Sequence, residues 1–126
     1  PKSQIPFFRY LYVAETEEQA REDTWDKLNW VIDIMQWRNN INEGSEVYQR
    51  ISDWRRSRQQ LPLSYDYLSE NRAIIGTPEQ CAAKINTLRD QGIDYFGCNF
   101  DFGGMDHEKV IRSMKLFADE VMPRLA

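Results

Sequence analysis

Residues 74–100, IIGTPEQCAAKINTLRDQGIDYFGCNF, predict the fold class, because one apolar run precedes a helical pattern and another follows it. The first run, residues 73–75, is short and ends at Gly76. The second run, residues 93–100, follows Gly92 and is rich in aromatic and apolar side chains. Two strands joined by one helix predict a parallel crossover, in which the two strands are neighbours in a buried sheet.

The helix between these strands has clear start and stop signals. Thr77-Pro78-Glu79-Gln80 predicts a capping box, in which the Thr77 hydroxyl accepts a backbone hydrogen bond and the Gln80 side chain reaches back to the cap. Pro78 stands where no N–H is needed, and Gly92 suits a left-handed helix end. One helix face then carries three apolar residues, Cys81, Ile85 and Leu88.

The same pattern occurs at both ends of the chain. FFRYLYVA, residues 7–14, predicts a strand, and Thr16-Glu17-Glu18-Gln19 predicts a second capping box before a long helix. A third strand ends near Phe100, and Asp106 is a candidate cap for the last helix, which Pro123 ends. Three strand-then-helix units predict an α/β protein.

Three tryptophans of the long helix do not share one face, and partial burial is the simplest expectation for them: Trp25, Trp30 and Trp37.

Residues 38–72 do not fit this pattern and are predicted to be an insertion of helix and loops. RNNINEG (residues 38–44) and QQLPLSYDYLSEN (residues 59–71) are predicted loops. Val47, Ile51 and Trp54 between them are spaced for a short amphipathic helix. A solvated decoration is favoured over a lid on an active site.

Length and pattern predict one domain over residues 1–126. Its predicted parts are a first βα unit at residues 1–37, the insertion at residues 38–72, a second unit at residues 73–92 and a third at residues 93–126. An eight-fold barrel needs roughly 250 residues. The chain is therefore either a small open α/β domain or the last portion of a larger barrel.

Composition excludes several classes of protein. The net charge of −4 gives no basic field to recruit nucleic acid, and no apolar run approaches the roughly 20 residues that span a bilayer. Cys81 and Cys98 are the only cysteines and His107 is the only histidine, so no metal site and no disulfide framework are predicted. No signal peptide is visible, and a reducing cytoplasm is the expected location.

The closing segment, GTPEQCAAKINTLRDQGIDYFGCNFDFGGMDHEKVIRSMKLFADEVMPRL, resembles the C-terminal end of luciferase-like flavin-dependent monooxygenases of the bacterial luciferase superfamily. The shared features are the Gly-Thr-Pro-Glu turn, the Gly-Ile-Asp entry into a strand and the FGG…HEKV…LFADEVMPRL helix. The front segment, FFRYLYVAETEEQAREDTWDKL, resembles that family's sixth strand and helix. The resemblance covers nearly the whole chain and is weakest in residues 38–72.

This resemblance implies the C-terminal portion of a (β/α)8 barrel, with strands six to eight in this chain. It also implies reduced FMN, or alternatively a deazaflavin coenzyme, a small organic substrate, a possible flavin reductase partner and a possible homo-oligomer. The best-known catalytic histidine of the family and much of its contact with the flavin ring come from the front half of the barrel, so no catalytic residue is assigned here. The fragment alone is not expected to be active, and His107, in the first turn of the last helix, is expected to have a structural or surface role.

Cofactor contacts are expected at the carboxyl ends of the second and third strands, where barrels place their sites. The candidates are Gly76, Thr77, Asn99 and Asp101. Free N–H groups after Thr77 can hold a phosphate, although simple helix capping is the favoured role. Asn99 and Asp101 alternate with Cys98 and Phe100, so one pair is expected to face the barrel interior and the other the helices.

Two further functions remain open at this point. One is a deazaflavin-dependent oxidoreductase of the same superfamily, which transfers a hydride. The other is a non-catalytic α/β module that self-associates or binds a partner, because three strands alone leave sheet edges and an apolar inner face exposed. Arg9, within the first strand, must find a counter-charge, and an ion pair with a neighbouring acid is the favoured expectation.

Overall fold

The computed structural model describes residues 4–41, 50 and 64–125. Its strands are β1 (Phe7–Val13), β2 (Ala73–Gly76) and β3 (Phe96–Asn99). Its helices are α1 (Glu17–Ile41), α2 (Tyr65–Asn71), α3 (Pro78–Asp90) and α4 (His107–Leu116). A π-helical turn, Phe117–Val121, and a 3₁₀ turn, Met122–Arg124, continue α4 to the end of the described chain.

The three strands form one parallel sheet in the order β2-β1-β3. Tyr10 lies opposite Ala73 of β2 on one side and opposite Asn99 of β3 on the other. The prediction that the two strands of residues 74–100 are neighbours is therefore wrong, because β1 lies between them. Consecutive strands of a barrel lie side by side, so this order also differs from the consecutive order that the barrel resemblance implies.

The two faces of the sheet carry two separate apolar clusters. Alternate residues of β1 point to opposite faces, so Tyr12 packs with one cluster and Leu11 and Val13 with the other. The first cluster adds residues of α1 and α2, including Ala20, Leu28, Val31, Ile32, Tyr65 and Leu68. The second adds residues of α3 and the end of the last helix, including Cys81, Ala82, Ile85 and Val121.

The strand order explains why the helices cover both faces. The connection from β1 to β2 runs in one direction along the sheet, and the connection from β2 to β3 runs back past β1. Right-handed crossovers that run in opposite directions place their helices on opposite faces. Helix α1 thus covers much of the face that was expected to be an exposed inner face, and Phe8 at the start of β1 is the part of it that stays 61% exposed.

The central position of β1 follows from its sequence. FFRYLYV is seven residues long and aromatic, whereas β2 and β3 have four residues each. A central strand pairs along both edges and is buried on both faces, which suits the longest apolar run. Short strands at the two edges leave few unpaired backbone groups.

Two predicted loops contain helix. Helix α1 runs to Ile41, so residues 38–41 of the predicted loop at residues 38–44 are helical. Residues 65–71 of the second predicted loop form α2, which Ser64 caps by accepting a hydrogen bond from the Tyr67 N–H at 3.2 Å. The short helix predicted from Val47, Ile51 and Trp54 lies outside the described residues, and the division into units stays a prediction.

Helix α4 crosses the carboxyl end of β1. The Ser113 hydroxyl is fully buried and accepts a hydrogen bond from the Val13 N–H at 2.9 Å. Asp106 is the N-cap residue, as predicted, but its side chain makes no capping hydrogen bond. It lies 3.8 Å from the Lys109 ammonium instead. The hydrogen bond with Ser113 places α4 at the carboxyl end of β1, and the loops at the carboxyl ends of strands are where α/β proteins usually bind ligands.

Candidate functional site

A groove of about 370 Å³ lies between α1 and the carboxyl end of β3. Its walls come from β1, from the second half of α1 and from β3 with the loop after it. The lining residues are Tyr10, Trp30, Val31, Ile34, Met35, Arg38, Asn99, Asp101, Phe102 and Gly103. The groove therefore lies between β1 and β3, where the strand order reverses, and α/β proteins commonly bind ligands in such crevices.

Aromatic and apolar side chains make up most of the groove wall. The Tyr10 and Phe102 rings pack at a centroid distance of 5.0 Å and a tilt of 44°. Phe102 and Val31 are buried, whereas Trp30 is 53% exposed. A wall of this kind offers a planar apolar surface that can hold an aromatic ring system.

Two polar side chains project at the mouth of this wall. Asn99 and Asp101 are both exposed. Cys98, which precedes Asn99, packs against the second cluster, whereas Phe100 packs against both clusters. Within the described part of the chain, neither Asn99 nor Asp101 has a side-chain hydrogen bond or ion pair. Their amide and carboxylate groups are therefore available to a ligand.

Gly103 holds the loop after β3 against α1. Its φ is +64°, and a Cβ atom at this position would overlap the backbone carbonyl group of Lys27. Only glycine combines this conformation with so close an approach at no steric cost. The second glycine of the pair, Gly104, also has a positive φ of +70° but has no atom within 4 Å of an added Cβ. Gly103 thus allows the loop after β3 to pack directly on the backbone of α1.

Gly76 and Thr77 lie on the other side of β1 from the groove and are occupied by helix capping. The Gln80 N–H donates to the Thr77 hydroxyl at 3.3 Å, and the Thr77 N–H donates to the Gln80 side-chain oxygen at 3.0 Å. A Cβ at Gly76 would overlap that same Gln80 oxygen. The geometry therefore explains both residues by the capping box and brings neither to Asn99 and Asp101.

A second polar cluster lies at the carboxyl end of β1 around Asp23 of α1. The Asp23 side chain is 3% exposed and accepts hydrogen bonds from the Tyr12 hydroxyl at 2.6 Å and from the Gln19 amide at 2.8 Å. The Lys109 ammonium lies 3.3 Å from Asp23, and the Arg112 guanidinium lies 3.4 Å away. The cluster ties β1, α1 and α4 together.

The electrostatics of this cluster favour a charged aspartate and a neutral tyrosine. Burial acts to raise the pKa of Asp23, but hydrogen bonds from Tyr12 and Gln19 and the charge of Lys109 outweigh it and lower the pKa. Burial and the hydrogen bond to Asp23 raise the pKa of Tyr12 to about 12. Because these groups satisfy one another and Tyr12 is inaccessible, the arrangement suits structural support rather than ligand contact.

Sequence reasoning missed the Asp23 cluster and the α1 wall of the groove. Gln19 and Asp23 stand four residues apart, and Lys109 and Arg112 stand three apart, so each pair shares a helix face. That spacing was the available signal. The α1 wall could not be found, because a barrel places every helix outside the sheet. His107 is the exposed first residue of α4, as predicted, and does not line the groove.

The cysteines and the possible metal ligands among the described residues form no further candidate site. Cys81 and Cys98 are free thiols, and burial raises their pKa values to about 12 and about 11. No group of three or more His, Cys, Asp or Glu side chains is placed to hold a metal ion within the described ranges. None of the helices described here is long and apolar enough to cross a membrane.

Parallel strands with helices on both faces define the α/β class of folds. Comparison with known proteins gives the family. The model of the luciferase-like monooxygenase family matches residues 2–95, and the chain belongs to that family. The match includes residues 38–72, where the sequence resemblance is weakest, and it ends before β3.

Solved structures with a similar fold are monooxygenases. The chain resembles monooxygenase RslO1 from Streptomyces bottropensis with a TM-score of 0.57 and 22% identity, over 100% of this chain and 32% of that one. It also resembles the oxygenating constituent of 3,6-diketocamphane monooxygenase from Pseudomonas putida, a type II Baeyer-Villiger monooxygenase in complex with FMN. That match has a TM-score of 0.63 and 15% identity, over 94% of this chain and 33% of the other.

These comparisons confirm the family and the fold class. The chain is an α/β protein with three parallel strands that matches part of luciferase-like monooxygenase barrels, as predicted. It spans about a third of the length of the matched structures. Family and fold support a monooxygenase of general kind, and the activity, cofactor and partners of a whole protein are matters of proposal.

Proposed function

We propose that this chain is the C-terminal portion of a luciferase-like monooxygenase that uses reduced FMN and O₂ to oxidise a small organic substrate. The family match over residues 2–95 carries the proposal. The FMN in the structure of the Pseudomonas putida relative supports the choice of flavin. A flavin reductase that supplies reduced FMN, a homo-oligomer and a cytoplasmic location belong to the same proposal, and the two free thiols fit a reducing compartment.

The residues of the groove suit one edge of a flavin. Tyr10, Trp30 and Phe102 offer apolar surface to a ring system, and Asn99 and Asp101 offer unpaired polar groups to its heteroatoms. A groove of about 370 Å³ lies near the lower end of the size range of ligand sites, which suits contact with part of a cofactor. The flavin supplies the electrons for oxygen activation, and this chain orients the ring and excludes water.

The four candidate residues would have different roles in binding the cofactor. Asn99 can both donate and accept hydrogen bonds, whereas ionised Asp101 only accepts, so Asp101 would meet an N–H group of the ring. Gly76 and Thr77 remain candidates for a phosphate only if the capping box opens, because their groups are engaged with Gln80. Catalytic residues remain unassigned.

A titration of the protein with reduced FMN under anaerobic conditions tests this proposal. Quenching of tryptophan fluorescence reports on Trp30, which lines the groove, and Trp30→Phe should remove most of the signal. Trp25→Phe is the matched control, because Trp25 lies on the same helix but packs on Tyr65 at a centroid distance of 4.9 Å. Asp101→Asn should weaken binding roughly tenfold through loss of a charged acceptor, and Thr77→Ala should leave binding unchanged.

The same titration separates the two alternatives. Tight binding of a deazaflavin coenzyme without binding of reduced FMN would favour the hydride-transferring oxidoreductase. Failure to bind either cofactor by a folded protein would favour the non-catalytic α/β module. One observation supports that module: α1 covers much of the first face of the sheet and α3 covers much of the second.

A further inference from the structure

Two arginines stand side by side near the beginning of β1 and β2. Tyr10 and Ala73 are register partners in the parallel ladder. Arg9 and Arg72 are the residues immediately before them, so Arg9 of β1 lies near Arg72, the residue that ends α2 and precedes β2. Like charges that lie close together repel each other unless something compensates them.

Neither arginine has an acidic partner in the described part of the chain. The recorded polar contact of the Arg9 guanidinium is a hydrogen bond from Nη1 to the Phe8 carbonyl oxygen at 3.0 Å. The ion pair expected for Arg9 is therefore absent from the described residues. Burial, followed by the positive charge of Arg72, lowers the pKa of Arg9.

The Arg9 guanidinium is held in one orientation. Its central carbon lies 3.8 Å from the centroid of the Phe7 ring, so the planar group stacks on the aromatic face. The hydrogen bond to Phe8 occupies Nη1 and leaves Nη2 and Nε without a recorded acceptor. A stacked guanidinium with two free donors is arranged for bidentate binding of an oxyanion, and little side-chain entropy is lost on binding.

We propose that Arg9 and Arg72 form a binding site for a small phosphate-like oxyanion at the start of β1 and β2. Arg9 supplies an oriented fork of donors and Arg72 supplies a second, more exposed positive charge. The site lies on the opposite face of the sheet from the groove, because Arg9 alternates with Tyr10 along β1. It does not depend on the proposed flavin function.

Titration of the protein with inorganic phosphate tests the site, with phosphorus NMR or calorimetry at constant ionic strength. Two charge-assisted hydrogen bonds lead us to expect a dissociation constant on the order of 1 mM. Concentrations below about 10 mM keep the general stabilising effect of phosphate salts small. Arg72→Gln should weaken binding roughly tenfold or more.

Two further variants make the test specific. Arg9→Lys keeps the charge but removes the fork, so it should also weaken phosphate binding. Arg124→Gln is the matched control, because Arg124 is an exposed arginine that bonds the Glu120 carbonyl far along the chain, and it should bind phosphate as the wild type does. In chloride alone, Arg72→Gln should leave the unfolding midpoint unchanged or raise it, because a repulsive charge is removed.

Three outcomes would overturn the proposal. The first is no saturable phosphate binding by the wild-type protein below about 10 mM. The second is equal weakening by Arg72→Gln and Arg124→Gln, which would indicate a general charge effect. The third is a lower unfolding midpoint of Arg72→Gln in chloride, which would show that Arg72 already has a stabilising partner. None of these results bears on flavin binding in the groove.

Discussion

The junctions after β1 and β2 carry nearly the same sequence, Thr-Glu-Glu-Gln at residues 16–19 and Thr-Pro-Glu-Gln at residues 77–80, but fold differently. At the second junction the Gln80 side chain closes the capping box. At the first, the Thr16 hydroxyl accepts from the Gln19 N–H at 3.1 Å, while the Gln19 side chain turns to Asp23. The same local motif thus forms a complete capping box at the second junction. At the first junction its glutamine joins the hydrogen-bond network of Asp23 instead.

The difference arises from what lies beyond each motif. Position 23, four residues after Gln19, holds a buried carboxylate, whereas the position four residues after Gln80 is Lys84, which reaches the Ser69 carbonyl. A buried charge gains more from an additional hydrogen bond than an exposed backbone N–H does, because water satisfies the latter. Helix α1 is therefore fixed by tertiary contacts, and the start of α3 by its own sequence.

Removal of the Asp23 carboxylate should cause the largest change in the free energy of unfolding. Asp23→Ala leaves the fully buried Tyr12 hydroxyl without its acceptor and separates α4 from α1, which should lower the free energy of unfolding by about 3 kcal/mol. Urea unfolding measures this change. Asp66→Ala is the control, because the Asp66–Arg21 pair is exposed and should contribute far less to stability. Equal losses in the two variants would contradict a special role for the Asp23 cluster.

The contact between the loop after β3 and α1 should have the next largest effect. Gly103→Ala places a methyl group against the Lys27 carbonyl at positive φ and should destabilise the protein by about 2–3 kcal/mol. Gly104→Ala shares the positive φ without the overlap and should lower stability by only about 1 kcal/mol. The difference between the two variants isolates the close approach, and a negligible difference would show that α1 can move away.

The dependence of the free energy of unfolding on pH should report on the Asp23 cluster at the first junction. Because the pKa of Asp23 is lowered on folding, its contribution is present above the ordinary carboxyl pKa and is lost as pH falls through the lowered value. The pKa of Tyr12 is raised to about 12, so its contribution is present below its ordinary pKa and is lost as pH rises towards 12. Urea unfolding at several pH values measures both limbs.

Asp23→Asn provides the matched comparison for this pH profile. The amide cannot titrate, so the acid limb of the variant should be shallower than that of the wild type. Its alkaline limb should change as well, because an uncharged partner no longer raises the pKa of Tyr12 as strongly. An unchanged acid limb in Asp23→Asn would show that other carboxylates dominate acid unfolding.

Local signals in the sequence predicted much of the fold. The three strands, the Thr77 capping box and the end of α3 near Gly92 follow from residues close in sequence, and the structure has them. The strand order did not follow, because pairing of β1 with β3 depends on which strand gains most from burial on both faces. Helix α2 lies within a predicted loop, and the Ser64 cap and the burial of Tyr65 and Leu68 stabilise it.

The candidate site was predictable only where its residues follow a strand. Asn99 and Asp101 were found from their position after the third strand and from alternation, and the structure places both in the groove. Trp30 and Ile34 were not found, since their role depends on α1 covering a face that a barrel leaves free of helices. Gly76 and Thr77 satisfied the same positional rule, but their own capping box occupies them.

The two glutamines provide the smallest and most direct test of the comparison. Gln80→Ala removes a hydrogen bond to the Thr77 N–H and an exposed contact with Glu17, so it should lower stability by about 0.5 kcal/mol. Gln19→Ala removes a bond to a buried carboxylate and should have an effect of about 1 kcal/mol. Double-mutant cycles with Asp23→Asn, followed by urea unfolding, should show coupling for Gln19 and additivity for Gln80. Coupling of both glutamines to Asp23, or of neither, would mean that the two junctions are energetically alike despite their different hydrogen bonds.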